Sequence, residues 1–336
     1  MAEREQLMIS RIDFENYKVL RRASLPLGRF TLLVGPNGSG KSTAIDSLRP
    51  VVDSGNVAPE ELLTAGLDSH SSSARVTFAF SRDGAEQQYG MEWGPGAGRR
   101  LVLDPPGDAS PFAQLLARAR VYSLDAAAIA DPGGLDPGVE LGSHGENLAA
   151  VLDALRDRHP ERFEQLNEEF ARCLPEFDKI LFENPTRGKR ALLLRTMPGG
   201  HPIPGRHVSQ GTLLALALLT LAHLPEPPSV VGLEEPDRGI HPRLFRDVQD
   251  VLYRLSYPEN FGEKRQPVQV IATTHSPFML DLYRDHPEEI VIARREDEGG
   301  FFERLTDRSD AREVLEDAPL GELWLSGLLG GVPPDR

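Results

Sequence analysis

The nine residues from Gly35 to Thr43, Gly-Pro-Asn-Gly-Ser-Gly-Lys-Ser-Thr, constrain the fold more than any other stretch of the chain. They match G-x-x-x-x-G-K-[ST], the loop that joins a buried strand to a helix and binds phosphate. Because glycine has no Cβ, the three glycines let successive backbone N–H groups converge on one anion. An apolar run at 29–34 precedes the loop and a helical pattern at 42–49 follows it. The sequence therefore predicts a strand–loop–helix unit that binds the phosphates of a nucleotide.

This phosphate loop offers specific groups to a nucleotide. Lys41 is expected to bring positive charge to the β- and γ-phosphates, and Ser42 to offer its hydroxyl to Mg²⁺. The helix that begins here points the positive end of its dipole at the phosphates. The residues expected to contact the nucleotide are Gly35, Asn37, Gly38, Ser39, Gly40, Lys41, Ser42 and Thr43. The alternative, a glycine-rich turn that binds nothing, does not account for a full match in this setting.

A second motif, from Val230 to Pro236, is a hydrophobic strand pattern that ends in two acids. This is the Walker B form, in which one carboxylate holds Mg²⁺ through its water shell and the next orients the attacking water. We assign Glu234 to the metal and Glu235 to the water. A strand that runs into an acidic turn is the alternative, and the phosphate loop upstream counts against it.

Three further features stand at the ends of predicted elements. Ser209-Gln210-Gly211-Thr212 opens an apolar helix pattern, where Ser209 alone is also an ordinary helix cap. His275 follows a short apolar strand pattern. A purely structural histidine is the alternative to a functional one at this position. The turn at 237–242, Asp-Arg-Gly-Ile-His-Pro, comes directly after the two acids.

Composition limits the classes of function. A net charge of −14 argues against a general nucleic-acid coat protein, although it leaves room for a local basic groove. Basic clusters at 18–22 and 187–190 are the candidates for such a groove, and solvated surface charge is the alternative. The one cysteine, Cys173, rules out an internal disulfide, favours a reducing compartment and is expected to be a buried thiol. The longest apolar run, 212–224, is too short to cross a bilayer, so we expect a cytoplasmic protein.

Taken together and in this order, the motifs resemble the ABC-type ATPase heads of the RecF/SMC/OLD group, particularly its stand-alone bacterial AAA-type ATPases. The segments that carry the resemblance are Ile12-Asp13-Phe14-Glu15-Asn16-Tyr17-Lys18, the phosphate loop, 209–212, 234–242, 274–277 and 320–324. They run from near residue 10 to near residue 330, so the resemblance covers nearly the whole chain.

The resemblance implies roles for the later motifs. Ser209 and Gly211 match a signature that binds the γ-phosphate held by an opposite subunit, and Asp237 falls in the D-loop beside the nucleotide. His275 matches a switch histidine that senses the γ-phosphate. The implied catalytic residues are Lys41, Glu235 and His275, acting on ATP and Mg²⁺ in an ATP-dependent homodimer.

The sequence departs from the family pattern in four places. Glu234 stands where an aspartate is usual, the signature lacks the fuller Leu-Ser-Gly-Gly form, and no clear Q-loop glutamine is present. The segment 122–125 is the candidate for the Q-loop position. Because the sequence continues only a short way after the histidine motif, we expect no TOPRIM nuclease of the kind that OLD relatives carry.

The predicted fold is α/β, a P-loop NTPase of the ABC-ATPase type with a mostly parallel core sheet. An antiparallel β subdomain is expected beside that sheet. A single domain covers 1–336, with a small helical lobe inserted at 141–175 and no C-terminal nuclease domain. Within it, the patterns predict two strands in 7–34, strands at 74–80, 88–93, 101–103, 120–124, 189–196, 229–233 and 268–273, two helices in 146–174, and a buried helix at 209–223.

The expected function is a Mg-dependent ATPase that acts as a switch in a nucleic-acid-linked process, either DNA repair or anti-phage defence. Its partners would be a second copy and a separately encoded effector or nuclease, with direct binding to nucleic acid left open. Two alternatives remain, the ATP-binding subunit of a membrane transporter and a low-turnover nucleotide-dependent scaffold. The Glu-Glu-Pro sequence, the short signature and the missing Q-loop glutamine count against the transporter.

Overall fold

A computed structural model describes residues 7–49, 59–68, 71–82, 85–94, 98–135, 140–296 and 299–330. The chain divides into two compact units. The sheet unit comprises Met1–Val121, Pro228–Leu233 and Gln266–Arg336, and the helical unit comprises Tyr122–Pro227 and Glu234–Arg265.

Strands and helices both occur throughout the described part of the chain. The strands are β1 (Ile9–Tyr17), β2 (Leu20–Pro26), β3 (Phe30–Val34), β4 (Ala74–Arg82), β5 (Ala85–Gly94), β6 (Gly98–Asp104), β7 (Ala119–Tyr122), β8 (Gly133–Gly134), β9 (Phe177–Glu183), β10 (Lys189–Thr196), β11 (Pro202–Pro204), β12 (Val230–Leu233), β13 (Gln269–Thr274), β14 (Ile290–Glu296) and β15 (Gly299–Arg304). The helices are α1 (Lys41–Asp46), α2 (Pro59–Leu62), α3 (Ser110–Ala117), α4 (Ala126–Ala130), α5 (Leu148–Arg158), α6 (Pro160–Cys173), α7 (Gln210–His223), α8 (Phe245–Ser256), α9 (Pro277–Asp281), α10 (Ala311–Asp317) and α11 (Leu320–Leu325).

The large sheet has eleven strands in the order β6-β5-β4-β1-β2-β15-β14-β3-β13-β12-β7. Within it β14, β3, β13 and β12 are parallel neighbours. The strands from β6 to β15 pair antiparallel and continue the same sheet past β14. The α/β class is thus confirmed, and the antiparallel strands extend the parallel core instead of forming a sheet beside it.

The parallel strands are almost wholly buried, as expected for strands covered on both faces. Every residue of β3, β12 and β13 is buried. A Cβ on Gly232 would lie 2.5 Å from Ile45 Cγ2, so this glycine lets α1 pack closely on β12. The rings of Phe30 and Tyr283 stack with centroids 5.1 Å apart.

The helical unit is organised around α7. All residues from Thr212 to His223 are buried in this helix, which agrees with its nearly uniform apolar sequence. Helices α4, α6 and α8 pack against it. Strands β8, β9, β10 and β11 form a small antiparallel sheet in the same unit.

Most predicted elements are present, and the structure adds several strands. Residues 7–34 contain three strands instead of two, because the chain turns between Tyr17 and Leu20 and pairs β1 with β2. Strands β8, β9 and β11 were not predicted. The helix pair predicted in 146–174 is confirmed as α5 and α6, and it belongs to a helical unit larger than the predicted 141–175 lobe. The assignment of 1–336 to one domain stays a prediction.

Candidate nucleotide-binding site

The phosphate loop depends on its glycines for its backbone path. Gly38 and Gly40 have φ angles of 76° and 97°, in the left-handed region that residues with a Cβ rarely adopt. A Cβ on Gly35 would lie 2.3 Å from the carbonyl oxygen of Ala293 and 2.8 Å from Ser39 Oγ. No side chain fits at Gly35 without a shift of the backbone of β14. The loop is therefore tightly curled and closely packed on its sheet side.

Strands β2 and β15 also pack against the phosphate loop. A Cβ on Gly40 would lie 2.5 Å from Leu20 Cδ2 in β2. A Cβ on Gly300 of β15 would lie 2.7 Å from the carbonyl oxygen of Ser39. Two antiparallel strands thus reach the phosphate loop, a contribution that the sequence motifs alone did not indicate.

Lys41 lies along the loop that precedes it. Its side chain is only 6% exposed, and Nζ donates hydrogen bonds to the carbonyl oxygens of Gly35 at 2.7 Å and Pro36 at 3.0 Å. The loop therefore fixes the position of the lysine charge, which is what a group meeting the β- and γ-phosphates requires.

The outer side of the loop fits a phosphate chain. Asn37, Gly38 and Ser42 are exposed and Thr43 is half-buried. A Cβ on Gly38 would meet no atom within 4 Å. The hydroxyl of Ser39 is buried on the sheet side of the loop and has no hydrogen-bond partner among the described residues. Exposed donors around an open glycine edge match the chemistry of a triphosphate cradle.

His275 leaves the sheet beside the phosphate loop. Val34 lies opposite Thr274 in the parallel pair of β3 and β13, so Gly35 and His275 follow neighbouring strands at the same level. His275 is half-buried, and the N–H of Ser276 donates to Thr274 Oγ1 at 2.9 Å. Because strands β3 and β13 end together, the histidine stands at the same sheet edge as the loop.

The two acids follow β12, which ends at Leu233. The backbone N–H of Glu234 donates to the carbonyl oxygen of Tyr122 at 2.9 Å. Glu235 has a φ angle of 44°, a left-handed conformation that is uncommon for a residue other than glycine. Both side chains are half-buried. A strained backbone of this kind occurs most often at functional sites.

The turn after these acids is closed by its own backbone. The N–H of Arg238 donates to the carbonyl oxygen of Glu235 at 2.9 Å, and that of Ile240 donates to Asp237 at 3.1 Å. Gly239 takes a left-handed φ of 75°. Asp237 is 7% exposed and Ile240 is buried. The turn is anchored at both buried positions and presents Arg238 and Gly239 outward.

The signature segment packs directly against this turn. Ser209 Oγ accepts a hydrogen bond from the N–H of Thr212 at 3.2 Å and lies 2.8 Å from Thr212 Oγ1. It therefore caps α7, which was the alternative to a role in binding the γ-phosphate, and that binding role stays a prediction. A Cβ on Gly211 would lie 2.8 Å from the carbonyl oxygen of Gly239. The glycine of the signature is what allows α7 and the turn to meet.

The structure thus forms two groups from the predicted residues. The phosphate loop and His275 share one sheet edge in the sheet unit, and Ser209 and Gly211 join the 235–240 turn in the helical unit. Their roles in binding and catalysis stay predictions. Sequence reasoning named no role for Arg238, although its position between Asp237 and Gly239 in the turn was visible.

The segment 122–125, predicted at the Q-loop position, is tied into local structure. Asp125 Oδ1 accepts a hydrogen bond from the N–H of Ala128 at 2.7 Å and caps α4. The N–H of Ser123 donates to the carbonyl oxygen of Ser143 at 2.9 Å. The Q-loop role stays a prediction.

The basic clusters are partly neutralised within the chain. Arg190 Nε donates to Asp153 Oδ2 at 2.8 Å, and its side chain is largely buried. Lys18 Nζ lies 3.9 Å from Asp46 Oδ2. These pairs reduce the charge that either cluster offers to a nucleic acid.

Cys173 is a half-buried thiol whose Sγ lies 3.3 Å from Asp247 Oδ1. Burial and this carboxylate raise the pKa of the thiol to about 12. A thiol with so high a pKa is a poor nucleophile at neutral pH. The expectation that Cys173 is not catalytic agrees with this environment.

No group of three or more His, Cys, Asp or Glu side chains in the described ranges could hold a metal ion. None of the helices in this part of the chain is long and apolar enough to cross a membrane.

Known structures share this fold. A crystal structure of the Smc head bound to the C-winged helix domain of ScpA has a TM-score of 0.62 and 16% identity, covering 88% of this chain and 97% of that chain. An Smc head from Pyrococcus furiosus, with an extended coiled coil and bound to the C-terminal domain of ScpA, gives 0.61 and 17%, covering 93% and 99%. The recombination mediator RecF with ATPrS gives 0.51 and 12%, covering 90% and 99%.

At these identities the likeness shows the fold alone, which is that of the ABC-type ATPase heads of the RecF/SMC group. The fold predicted from the sequence resemblance is therefore confirmed. No curated protein matches the chain by sequence.

A family model matches residues 30–281, from β3 through α9, which is 252 of the 336 residues. The matched range holds the phosphate loop, the signature, the two acids and His275. The chain belongs to the family of AAA domains described as "AAA domain, putative AbiEii toxin, Type IV TA system".

Proposed function

We propose that the chain binds ATP with Mg²⁺ on the loop at 35–43 and hydrolyses it to ADP and phosphate. The observation that carries this proposal is the geometry of the loop. Gly35 and Gly40 sit where no side chain fits, and Lys41 is held against the loop carbonyls. Phosphoryl transfer on such a loop proceeds by positioning and charge stabilisation.

In this proposal the remaining residues have separate roles around the triphosphate. Mg²⁺ is held by Ser42, by Glu234 through water and by the phosphates, since Mg²⁺ in such sites takes few protein ligands. Glu235 orients the attacking water, and its left-handed backbone supports a specialised position. His275 senses the γ-phosphate from the same sheet edge as the loop.

We further propose a head-to-tail homodimer with two nucleotides at its interface. Ser209, Gly211 and Asp237 of one copy would meet the γ-phosphate held by the loop of the other copy. The close packing of Gly211 on the 235–240 turn supports a single preformed surface for this contact. The fold shared with Smc heads adds support, at the level of fold only.

The biological role that we propose is a cytoplasmic switch in DNA repair or anti-phage defence, which controls a separate effector or nuclease. Three named properties of other proteins support it. The family description names a toxin of a Type IV toxin–antitoxin system, the two Smc heads were solved with ScpA, and RecF is a recombination mediator. The cytoplasmic part is supported by the single cysteine. Control of a protein partner is favoured over direct nucleic-acid binding, since Arg190 is paired with Asp153 and the net charge is −14.

The test combines a substitution of the proposed catalytic acid with a substitution in the signature. Glu235→Gln should lower ATP turnover by about a hundredfold or more, the range for loss of a general base. ATP binding should persist and the dimer should become long-lived in Mg-ATP. Adding Ser209→Arg should dissolve that dimer, because a bulky side chain blocks the γ-phosphate seat. Sedimentation velocity and phosphate release measure both effects.

The matched control is Ser209→Ala in the Glu235→Gln background. It removes the cap of α7 without adding bulk, so it should weaken the dimer far less than arginine does. Unchanged turnover in Glu235→Gln would show that the catalytic acid is misassigned. An oligomer indifferent to all three variants would refute the proposed interface.

A further inference from the structure

We propose that Arg238 acts in trans, placing its guanidinium on the γ-phosphate of ATP held by the phosphate loop of a second copy. This inference rests on the dimer proposed above and assigns it a charge-stabilising residue. Four features of the helical unit carry it.

The first feature is the exposure of the arginine. Its side chain is 82% exposed, and Nη1 lies 3.9 Å from Glu235 Oε2, a carboxylate that is itself 36% exposed. A long ion pair between exposed groups contributes little to stability. Arg238 is therefore poorly explained as a structural residue.

The second feature is the rigidity of the backbone beneath it. The turn carries the left-handed Glu235 and Gly239 and is anchored by buried Asp237 and Ile240. The left-handed conformation of Glu235, unlike that of a glycine, persists only where the surroundings over-determine it. The turn therefore holds the Cα of Arg238 in one place while the side chain stays free to reach outward.

The third feature is the neighbourhood of the signature. Gly211 packs against the carbonyl of Gly239, and a Cβ on Gly239 would lie 3.4 Å from Leu214 Cδ1 and 3.8 Å from Gln210 Oε1. Exposed Ser209 and Gln210 thus share a surface with Arg238. The group that is predicted to meet the γ-phosphate has an arginine next to it in space.

The fourth feature is room for movement. A cavity of about 740 Å³ is lined by Gln210, Leu214, Arg238 and Gly239 together with Asp125 and Glu146. The guanidinium can change direction within this space without displacing the backbone.

ATP hydrolysis is accelerated by a positively charged group at the γ-phosphate. Negative charge spreads over the γ-phosphate oxygens in the transition state, and a planar guanidinium can contact two of them at once. Lys41 supplies one positive charge from the loop of the same copy. An arginine from the other copy would make hydrolysis depend on dimer formation, which is the property that a switch requires.

The direct test compares Arg238→Ala and Arg238→Lys with Arg243→Ala. Arg243 is a matched control, since it is an exposed arginine five residues on that pairs with Glu176 at 3.3 Å. We expect Arg238→Ala to lower turnover about a thousandfold, the scale of an arginine supplied in trans. Lysine should restore only part of the activity, because it cannot make a two-point contact. Arg243→Ala should turn over ATP like the wild type, and all melting temperatures should be unchanged.

Mixing of variants separates action in trans from action in cis. A mixed dimer contains one Glu235→Gln copy and one Arg238→Ala copy. If Arg238 acts in trans, one of its two sites carries both defects and the other carries neither. If the copies are mixed before ATP is added, an equimolar mixture should regain up to about a quarter of wild-type turnover, since half of randomly paired dimers are mixed and one of the two sites in each is complete. Trapping of copies in long-lived Glu235→Gln dimers lowers this figure but leaves it well above that of either variant alone. If Arg238 acts in cis, both sites of the mixed dimer are defective and no activity returns.

Each result decides a separate question. Activity regained by mixing supports the inference. A normal ATP-dependent dimer without regained activity, or an Arg238→Ala variant with normal turnover, overturns the inference and leaves the proposed function intact. Absence of any ATP-dependent dimer in Glu235→Gln overturns the proposed dimer and, with it, the role in trans.

Discussion

Helices α1 and α7 both begin at a predicted phosphate contact, but their first turns are built differently. Helix α1 begins after the left-handed Gly40, and among the described residues no side chain caps it. Helix α7 begins after Ser209, whose hydroxyl accepts a hydrogen bond from the third residue of the helix. The N–H groups of a first turn need partners, and an uncapped start attracts anions.

The difference separates a helix start that depends on a ligand from one that is complete by itself. Under the proposed function a nucleotide would stabilise the start of α1, so the loop and helix should tighten when ATP binds. The start of α7 is satisfied by its own serine and by the packing of Gly211, so the signature surface should be formed before any nucleotide or partner arrives. One copy would then recognise the ATP of another through a surface that needs no rearrangement.

The largest expected effect falls on the ligand-dependent start. Lys41→Ala removes the charged group that meets the phosphates, a loss of about 3 kcal/mol that weakens ATP binding by about a hundredfold. Isothermal titration calorimetry measures the affinity, and circular dichroism checks that the fold survives. Lys189→Ala removes an exposed lysine of β10 and should bind ATP normally. Wild-type ATP affinity in a folded Lys41→Ala protein would refute the phosphate-loop assignment.

An intermediate effect is expected where the signature meets the turn. Gly211→Ala places a Cβ 2.8 Å from the carbonyl oxygen of Gly239, so the backbone must shift, at a cost of about 1–3 kcal/mol. Chemical denaturation measures the loss. In the Glu235→Gln background this change should also weaken the ATP-dependent dimer while each copy still binds ATP.

The control for this prediction is Gly188→Ala. Gly188 has a φ of 78° and open space around it, so it tests backbone strain without a packing clash. Its cost should be about 1–2 kcal/mol with no effect on the dimer. A Gly211→Ala protein with a normal dimer would show that the packing of α7 on the turn does not shape the interface.

The smallest expected effect concerns the cap of α7. Ser209→Ala should lower the free energy of unfolding by about 1 kcal/mol, the usual worth of an N-cap. Ser209→Asp keeps the cap and suits the helix dipole, so its stability should match the wild type. The added negative charge should nevertheless weaken the ATP-dependent dimer, as measured by sedimentation with Mg-ATP. Equal dimer strength in the Asp variant and the wild type would place the γ-phosphate away from Ser209.

The sequence predicted the features that depend on near neighbours in the chain. The phosphate loop, the strand before it and the cap at Ser209 are set by a few consecutive residues, and all are present. The short apolar runs at 229–233 and 268–273 predicted central parallel strands, and β12 and β13 do pair in parallel. Burial on both faces produces a run of apolar residues that a single sequence displays directly.

Other features depend on contacts between distant residues and were missed. Continuity of the antiparallel strands with the parallel core rests on pairing of β15 with β2 and β14, which no local pattern records. Strand β9 mixes charged and apolar residues without clean alternation, so its period gave no signal. The left-handed φ of Glu235 is rare for glutamate and could not be expected from its identity. The contact of Gly211 with Gly239 joins two turns 28 positions apart.

The packing beneath the phosphate loop also limits how this chain can evolve. Leu20, Gly40 and Gly300 lie far apart in the sequence, yet an added Cβ on either glycine would come within 2.5 Å of the same leucine methyl group. A smaller residue at 20 would relieve only part of this crowding, because a Cβ on Gly300 would still lie 2.7 Å from the carbonyl oxygen of Ser39. The left-handed φ of Gly40 favours glycine there whatever residue stands at 20. Among relatives, positions 40 and 300 should both stay glycine, whereas position 20 is free to vary among residues of leucine size or smaller.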